Sequence, residues 1–193
     1  MNKTHVLLVA AAGLAGLSSP ALAHVSPPVV LVSEADTLRA MTGRSEGVVV
    51  RKVRLDAAQR QAMGAGCGCK ASDVSYRAYV AGPEEGNAAA VVFVSEPTQH
   101  GPIRMAVALD REGRVMSARV LEVTEESLLW VKPLLDEDLP GDYVGRRSGD
   151  DFGISQRFEK MRLESMRRFY ARVVSSLIRR AAVLYDVALR PRN

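Results

Sequence analysis

The sequence predicts an α+β fold: an antiparallel β-sheet with short N-terminal helices before it and a long C-terminal amphipathic helix packed on it. Three observations carry that prediction. Ile103, Met105, Val107 and Leu109 alternate with Arg104, Ala106 and Ala108, the period of two of a strand with one buried face. Asp110-Arg111-Glu112-Gly113 follows, and a second β-rich run with Val120, Leu121 and Val123 returns from it. Residues 101–123 therefore read as a hairpin, with Gly113 supplying the positive φ of a tight turn. Finally, Ile154, Phe158, Met161, Phe169, Val173, Leu177, Ala181 and Leu184 follow three- and four-residue steps across 154–189, the pattern of a core-facing helix. A sheet with one apolar face and a helix with one apolar stripe bury each other.

The other elements follow in chain order. Lys3, the apolar run 6–17 and Ala21-Leu22-Ala23 have the layout of a secretory signal peptide, residues 1–23, cleaved after Ala23. The apolar run is shorter than the roughly 20 residues of a spanning helix, and no later stretch is long and apolar enough to be one. The mature chain 24–193 is expected as a single domain in the periplasm. Residues 24–32 read as an extended lead containing Pro27-Pro28. Ser33 with Glu34 and Asp36 reads as the start of a short helix that ends at Thr42-Gly43. Residues 47–55 read as a strand. Asp56 opens a second short helix over 57–63, which is expected to stop in the glycines that follow. Strands are expected over 74–81 and 88–95, joined by a turn. Residues 125–145, broken by Pro133 and Pro140, are expected as a loop with one or two helical turns, and 146–151 as a polar linker. The terminal helix is expected to break near 163–168.

A 47% hydrophobic content is ordinary for a protein that builds a real core. The formal net charge of +4 includes Lys3, so the mature domain is less basic, which argues against a nucleic-acid partner. Two cysteines are too few for a disulfide scaffold. No Ser/His/Asp or Cys/His catalytic set is visible, and Asp136, Glu137 and Asp138 read as an acidic loop.

The order of parts resembles the FMN-binding domain family, found in periplasmic subunits of Rnf-type and sodium-pumping quinone-reductase complexes and in free-standing exported proteins. The stretches that carry the resemblance are VRLDAAQRQAM before the sheet, LDREGRVMSARVLEVTE through the hairpin to Glu125, and LIRRAAVLYDVAL in the closing helix. Together they span most of the mature chain. The resemblance implies an electron-transfer protein that carries FMN and serves a membrane-bound or periplasmic redox partner. Many family members attach the flavin phosphate to the threonine of a Ser/Thr-Gly-Ala-Thr segment just before the last helix. The matching stretch here, LESMRRFYARVVSS, has neither glycine nor threonine, so any flavin is expected to be held non-covalently.

On that resemblance Arg167, Arg168 and Arg172 stand near the phosphate position, with Ser165 adding a hydroxyl. Arginine offers a planar fork of donors that suits phosphate. The plainer reading is a solvated basic helix face, shared with Arg157, Lys160, Arg162, Arg179 and Arg180. Trp130 is a candidate to stack on the flavin ring, or a core or lid residue beside Leu128, Leu129 and Val131. Glu125 matches a family position. The alternative function is a cofactor-free or copper-binding module that docks through its basic helix. His24, as a new N-terminus, offers an amine and an imidazole to copper, and His100 a third nitrogen. Cys67-Gly68-Cys69 offers a soft-metal ligand pair or a redox pair, and more plainly a flexible loop with two exposed thiols or an unremarkable bridge.

Overall fold

The computed structural model describes residues 26–43, 48–69, 75–80, 88–161 and 163–191. The expected signal peptide and His24 lie outside them. The described elements are β1 (Pro28–Val30), α1 (Glu34–Thr42), β2 (Val49–Val53), α2 (Ala57–Cys67), β3 (Tyr76–Val80), β4 (Ala90–Thr98), β5 (Gly101–Leu109), β6 (Val115–Thr124), α3 (Glu125–Asp136), α4 (Gln156–Lys160) and α5 (Ser165–Leu184). A 3-10 turn covers Leu139–Tyr143, and a wider π-type turn, Tyr185–Leu189, follows α5. The described strands form one six-stranded sheet in the order β1-β6-β5-β4-β3-β2, with every neighbouring pair antiparallel. Strands β2 to β6 make a meander. The lead that reads as merely extended adds β1 to its far edge, pairing Val29 with Val123. The α+β class is as the sequence predicts.

The hairpin forms at the expected place. Gly113 takes φ +77°, and the Arg114 N–H donates to the Asp110 carboxylate at 2.7 Å. Strand β5 departs from expectation in having both faces buried. Ile103, Met105, Val107 and Leu109 enter the larger core, which α2, α3 and α5 cover. Ala106 and Ala108 enter a smaller core with Met41, Val91, Phe93 and Leu121, where α1 lies across the sheet. Alanine on that second face leaves room for a helix. Helix α1 begins as expected, with the Ser33 hydroxyl accepting the Asp36 N–H at 3.1 Å, and ends at Gly43 with φ +66°.

Three expectations need correction. Helix α2 does not stop at Met63 but runs through Gly64 and Gly66 to Cys67. A reciprocal cap between Asp56 and Gln59 starts it. Gly66 also lets α2 approach α5 closely, because a Cβ there would lie 2.7 Å from the Val183 methyl. The expected loop after β6 is instead the twelve-residue helix α3, capped by Thr124 and carrying Pro133 within it. Its Val131 and Leu134 are fully buried, and that packing outweighs the backbone donor lost at the proline.

The terminal helix breaks between Lys160 and Ser165, and the break resets its phase. Met161 and Phe169, expected inside, are 46% and 39% exposed, while Tyr170, Ala171 and Val174 point inward. From Leu177 onward the expected stripe holds, and α5 packs on β4, β5 and β6.

Tyr143 pins the segment that leads to α4. Its ring is buried and stacked on Phe152, and its hydroxyl donates to the Gly153 carbonyl at 3.0 Å. Burial raises its pKa, with the Ser175 hydroxyl and then the nearby Arg146 guanidinium partly offsetting the rise, and burial likewise raises the phenol of Tyr185. The unfolded chain ionises its tyrosines near pH 10, whereas these two keep their protons to higher pH. Below about pH 10 both states carry the proton and the contribution is intact. Above it the unfolded state binds fewer protons than the folded one, so stability falls as pH rises. Thermal melts between about pH 8.5 and 11 should show Tm declining above about pH 10, less steeply in Tyr143→Phe. An unchanged slope in that variant would contradict the assignment.

Candidate functional site

Helix α5 places the polar groups that matter. Tyr170, Ala171, Val174, Leu177, Ile178 and Ala181 face the sheet. Arg168, Arg172, Ser176 and Arg179–Arg180 fall at the helical spacing of the opposite side. Two clefts flank this side, and Ser176 stands in the wall of both.

The smaller cleft, about 570 Å³, lies between α5 and the segment held by Tyr143. Arg172, Ser175, Ser176 and Arg179 line it from α5, opposite Asp151, Phe152, Gly153 and Ile154. Among the described residues neither Arg172 nor Arg179 makes an ion pair. The Nε of Arg179 is buried with no hydrogen-bond partner, as are those of Arg147, Arg167 and Arg180, and an anion in this cleft would relieve it. Glu159 also reaches this cleft, but Arg168 holds its carboxylate at 2.5 Å.

The larger cleft, about 820 Å³, opens where β4 runs on past the start of β3. Tyr76, Arg77, Phe93, Glu96, Arg104, Met105 and Arg180 line it, together with Gly68 and Cys69. Its charges are mostly matched. Arg180 lies 2.5 Å from Glu96 and donates to the Ser95 carbonyl at 3.0 Å. Arg77 lies 2.7 Å from Glu34, and Arg104 2.9 Å from Glu122.

A third group gathers where the β4–β5 turn meets α3 and α5. The Thr124 hydroxyl donates to the His100 carbonyl and accepts the Ser127 N–H. The Ser127 hydroxyl, fully buried, lies 3.0 Å from the Tyr170 hydroxyl. The Trp130 ring stacks on Tyr170 at 5.7 Å and 10°, and the His100 ring lies 5.1 Å from Trp130. His100 Nδ1 is 2.7 Å from Glu126. Ser127 approaches the backbone of His100 rather than its ring, so the trio is not a nucleophile–base pair.

Against protein-family models, curated proteins and solved structures, the chain finds no match. The site is therefore read from its own geometry.

That geometry divides the residues singled out in the sequence. Ser165 is exposed at the start of α5. Arg167 lies 3.2 Å from Glu164, and Arg168 is engaged by Glu159. Arg172 reaches the smaller cleft. Glu125 is exposed at the start of α3, where its N–H donates to the Pro27 carbonyl and holds β1 in place. Trp130 lines neither cleft and has Tyr170 on its face. His100 is paired with Glu126, and the described residues contain no group of three or more histidines, cysteines or carboxylates arranged for a metal. Cys67 and Cys69 are joined in a disulfide, which leaves no thiolate to act as a ligand.

Sequence reasoning placed Arg179 on the basic face without distinguishing it from its neighbours. It missed Tyr76, Arg77, Phe93 and Arg104 as cleft residues, because β3, β4 and β5 bring them together only through strand pairing. The nearest sequence signal is an arginine interrupting an apolar strand, Arg77 in β3 and Arg104 in β5.

Proposed function

We propose that the chain is an exported electron-transfer protein of FMN-binding type that holds the flavin non-covalently, its phosphate seated in the smaller cleft. One observation supports this reading above the rest. Two arginines without an ion pair line one cleft: Arg172, in the stretch that stands where the family carries its phosphate anchor, and Arg179, just beyond that stretch in α5, whose Nε is buried and unpartnered. The donor set fits a phosphate. Arg172 and Arg179 would neutralise it with charge-assisted bonds, and Ser176 adds a hydroxyl. Ser175 is less available, since its hydroxyl donates to the Arg172 carbonyl at 3.0 Å. Arg168 withdraws the Glu159 carboxylate from the anion. A bound flavin supplies one- and two-electron redox chemistry, and the chain supplies binding and orientation. No helix among the described residues is long and apolar enough to cross a membrane, so exchange with a membrane-bound or periplasmic redox partner would proceed by docking.

The decisive experiment is an FMN titration of the mature protein, followed by flavin fluorescence quenching and by thermal shift. Arg179→Ala and Arg172→Ala should each weaken FMN by about tenfold or more, the scale of one charge-assisted contact to a phosphate. Trp130→Phe should leave affinity nearly unchanged, because Trp130 lines neither cleft. Absence of any FMN-induced shift would overturn the reading.

A colourless, flavin-indifferent protein would favour a second reading, a cofactor-free module whose basic α5 side docks to an acidic partner. The observation on its side is the place of Trp130, which stacks one face on Tyr170 and lines neither cleft.

A further inference from the structure

The Cys67–Cys69 bridge is not explained by the needs of the fold. It spans a single residue, Gly68. The restraint that a disulfide places on the unfolded chain grows with the logarithm of the loop it closes, so a bridge this short contributes least. Nor does α2 need it in order to end. Gly68 takes φ +64° and its N–H donates to the Gly64 carbonyl at 2.9 Å, which is a complete helix terminus by itself. The placement of the two halves is unequal. Cys67 is only 9% exposed and belongs to the larger core, whereas Cys69 is partly exposed and lines the larger cleft.

We propose that this bridge is a thiol–disulfide exchange site that accepts electrons from a dithiol entering the larger cleft. One thiolate of the dithiol attacks the sulfur of Cys69 and forms a mixed disulfide with it. The Cys67–Cys69 bond breaks, and its electron pair leaves with the sulfur of Cys67, which takes up a proton. The second thiolate of the same dithiol then attacks its partner sulfur in the mixed disulfide and releases Cys69, which is protonated in turn. The dithiol gives up two electrons and two protons and becomes a disulfide, while the bridge becomes two thiols.

The surroundings suit each step. Cys69 is the half of the bridge that an incoming thiolate reaches from the cleft. The Met63 carbonyl lies 3.0 Å from the sulfur of Cys67, placed to accept the S–H of the reduced form. Arg180 lines the cleft on the side of the sheet that holds Cys69 and favours an anionic attacking group, while Arg77 and Arg104 line its other side, where they meet Glu34 of α1. Carboxylates pair with all three, so the expected bias toward anionic thiols is moderate. The reaction needs no flavin and stands apart from the preceding proposal.

The test uses the whole mature, flavin-free protein. Native protein is incubated with dithiothreitol, quenched in acid, alkylated and weighed by mass spectrometry. The bridge should open while the far-ultraviolet circular dichroism and a cooperative melt persist. Cys67→Ser should form a mixed disulfide with oxidised glutathione at Cys69 about tenfold faster than Cys69→Ser forms one at Cys67, reflecting access to the two sulfurs. Reduced glutathione should open the wild-type bridge several-fold faster than it opens that of Arg180→Ala, and cationic cysteamine should show the opposite change. A bridge that resists dithiothreitol in the native state, a chain that unfolds on reduction, or equal reactivity of the two single-cysteine variants would each overturn the proposal.

Discussion

Replacing Gly101 by alanine should destabilise the protein by about 3 kcal/mol, the sum of left-handed backbone strain and local overpacking. Gly101 opens β5 with φ +97°, a conformation that side-chain-bearing residues rarely adopt. A Cβ there would also overlap the Thr124 methyl. Thr124 cannot give way freely. Its hydroxyl is bound to the His100 carbonyl and to Ser127, and through Ser127 the network reaches the buried Tyr170 hydroxyl. Moving Thr124 therefore disturbs the N-cap of α3 and the contact between α3 and α5 together. Urea denaturation should show a lower midpoint with an unchanged slope. Adding Thr124→Ser to Gly101→Ala removes the clashing methyl and keeps the hydroxyl, so it should recover about half of the loss and leave the backbone strain. No recovery in the double variant would show that the clash is not the cause.

This junction also marks where the sequence stops being informative. The hairpin is legible because alternation and a turn glycine are local properties, visible at 103–109 and at Gly113. The caps at Ser33 and Asp56 are local too. Helix α3 had its own local signal, since Thr124 followed by Glu125, Glu126 and Ser127 is a good helix start. Pro133 and Pro140 argued the other way, and only the burial of Val131 and Leu134 settles the contest. The glycines of α2 read as a stop for the same reason. At Gly66 the reason for a glycine is Val183, more than a hundred residues away.

The candidate site was legible only in kind. An arginine-rich face on the last helix is visible in the sequence, but which arginines remain unpaired depends on the break before Ser165. That break turns Arg167 and Arg168 toward Glu164 and Glu159, and leaves Arg172 and Arg179 at a cleft. The same break sends Phe169 outward and Tyr170 inward, where it meets Trp130. The larger cleft left only a faint trace in the sequence, the arginines of β3 and β5, because its walls come from three strands, the end of α2 and the middle of α5.

The dependence of both clefts on the seat of α5 gives the second large prediction. Leu177 is 1% exposed and stands next to Ser176, the residue shared by the two cleft walls. Truncating it to alanine removes buried methyl groups and leaves a cavity beneath the helix, which should cost about 3 kcal/mol and lower Tm by about 10 °C. Leu177→Met keeps the volume and should cost less than about 1.5 kcal/mol. The two variants separate packing from chemistry, because neither alters an arginine or a cysteine. Ligand affinity measured well below the melting transition should survive Leu177→Met. In Leu177→Ala it should weaken for FMN, and reduction of the bridge should accelerate, since Cys67 shares the core in which Leu177 sits. A loosened α5 moves Arg172 and Arg179 away from the opposite wall of one cleft and uncovers the buried half of the bridge at the other. If Leu177→Ala lowered Tm without changing either reaction, the position of α5 would not be what shapes the clefts.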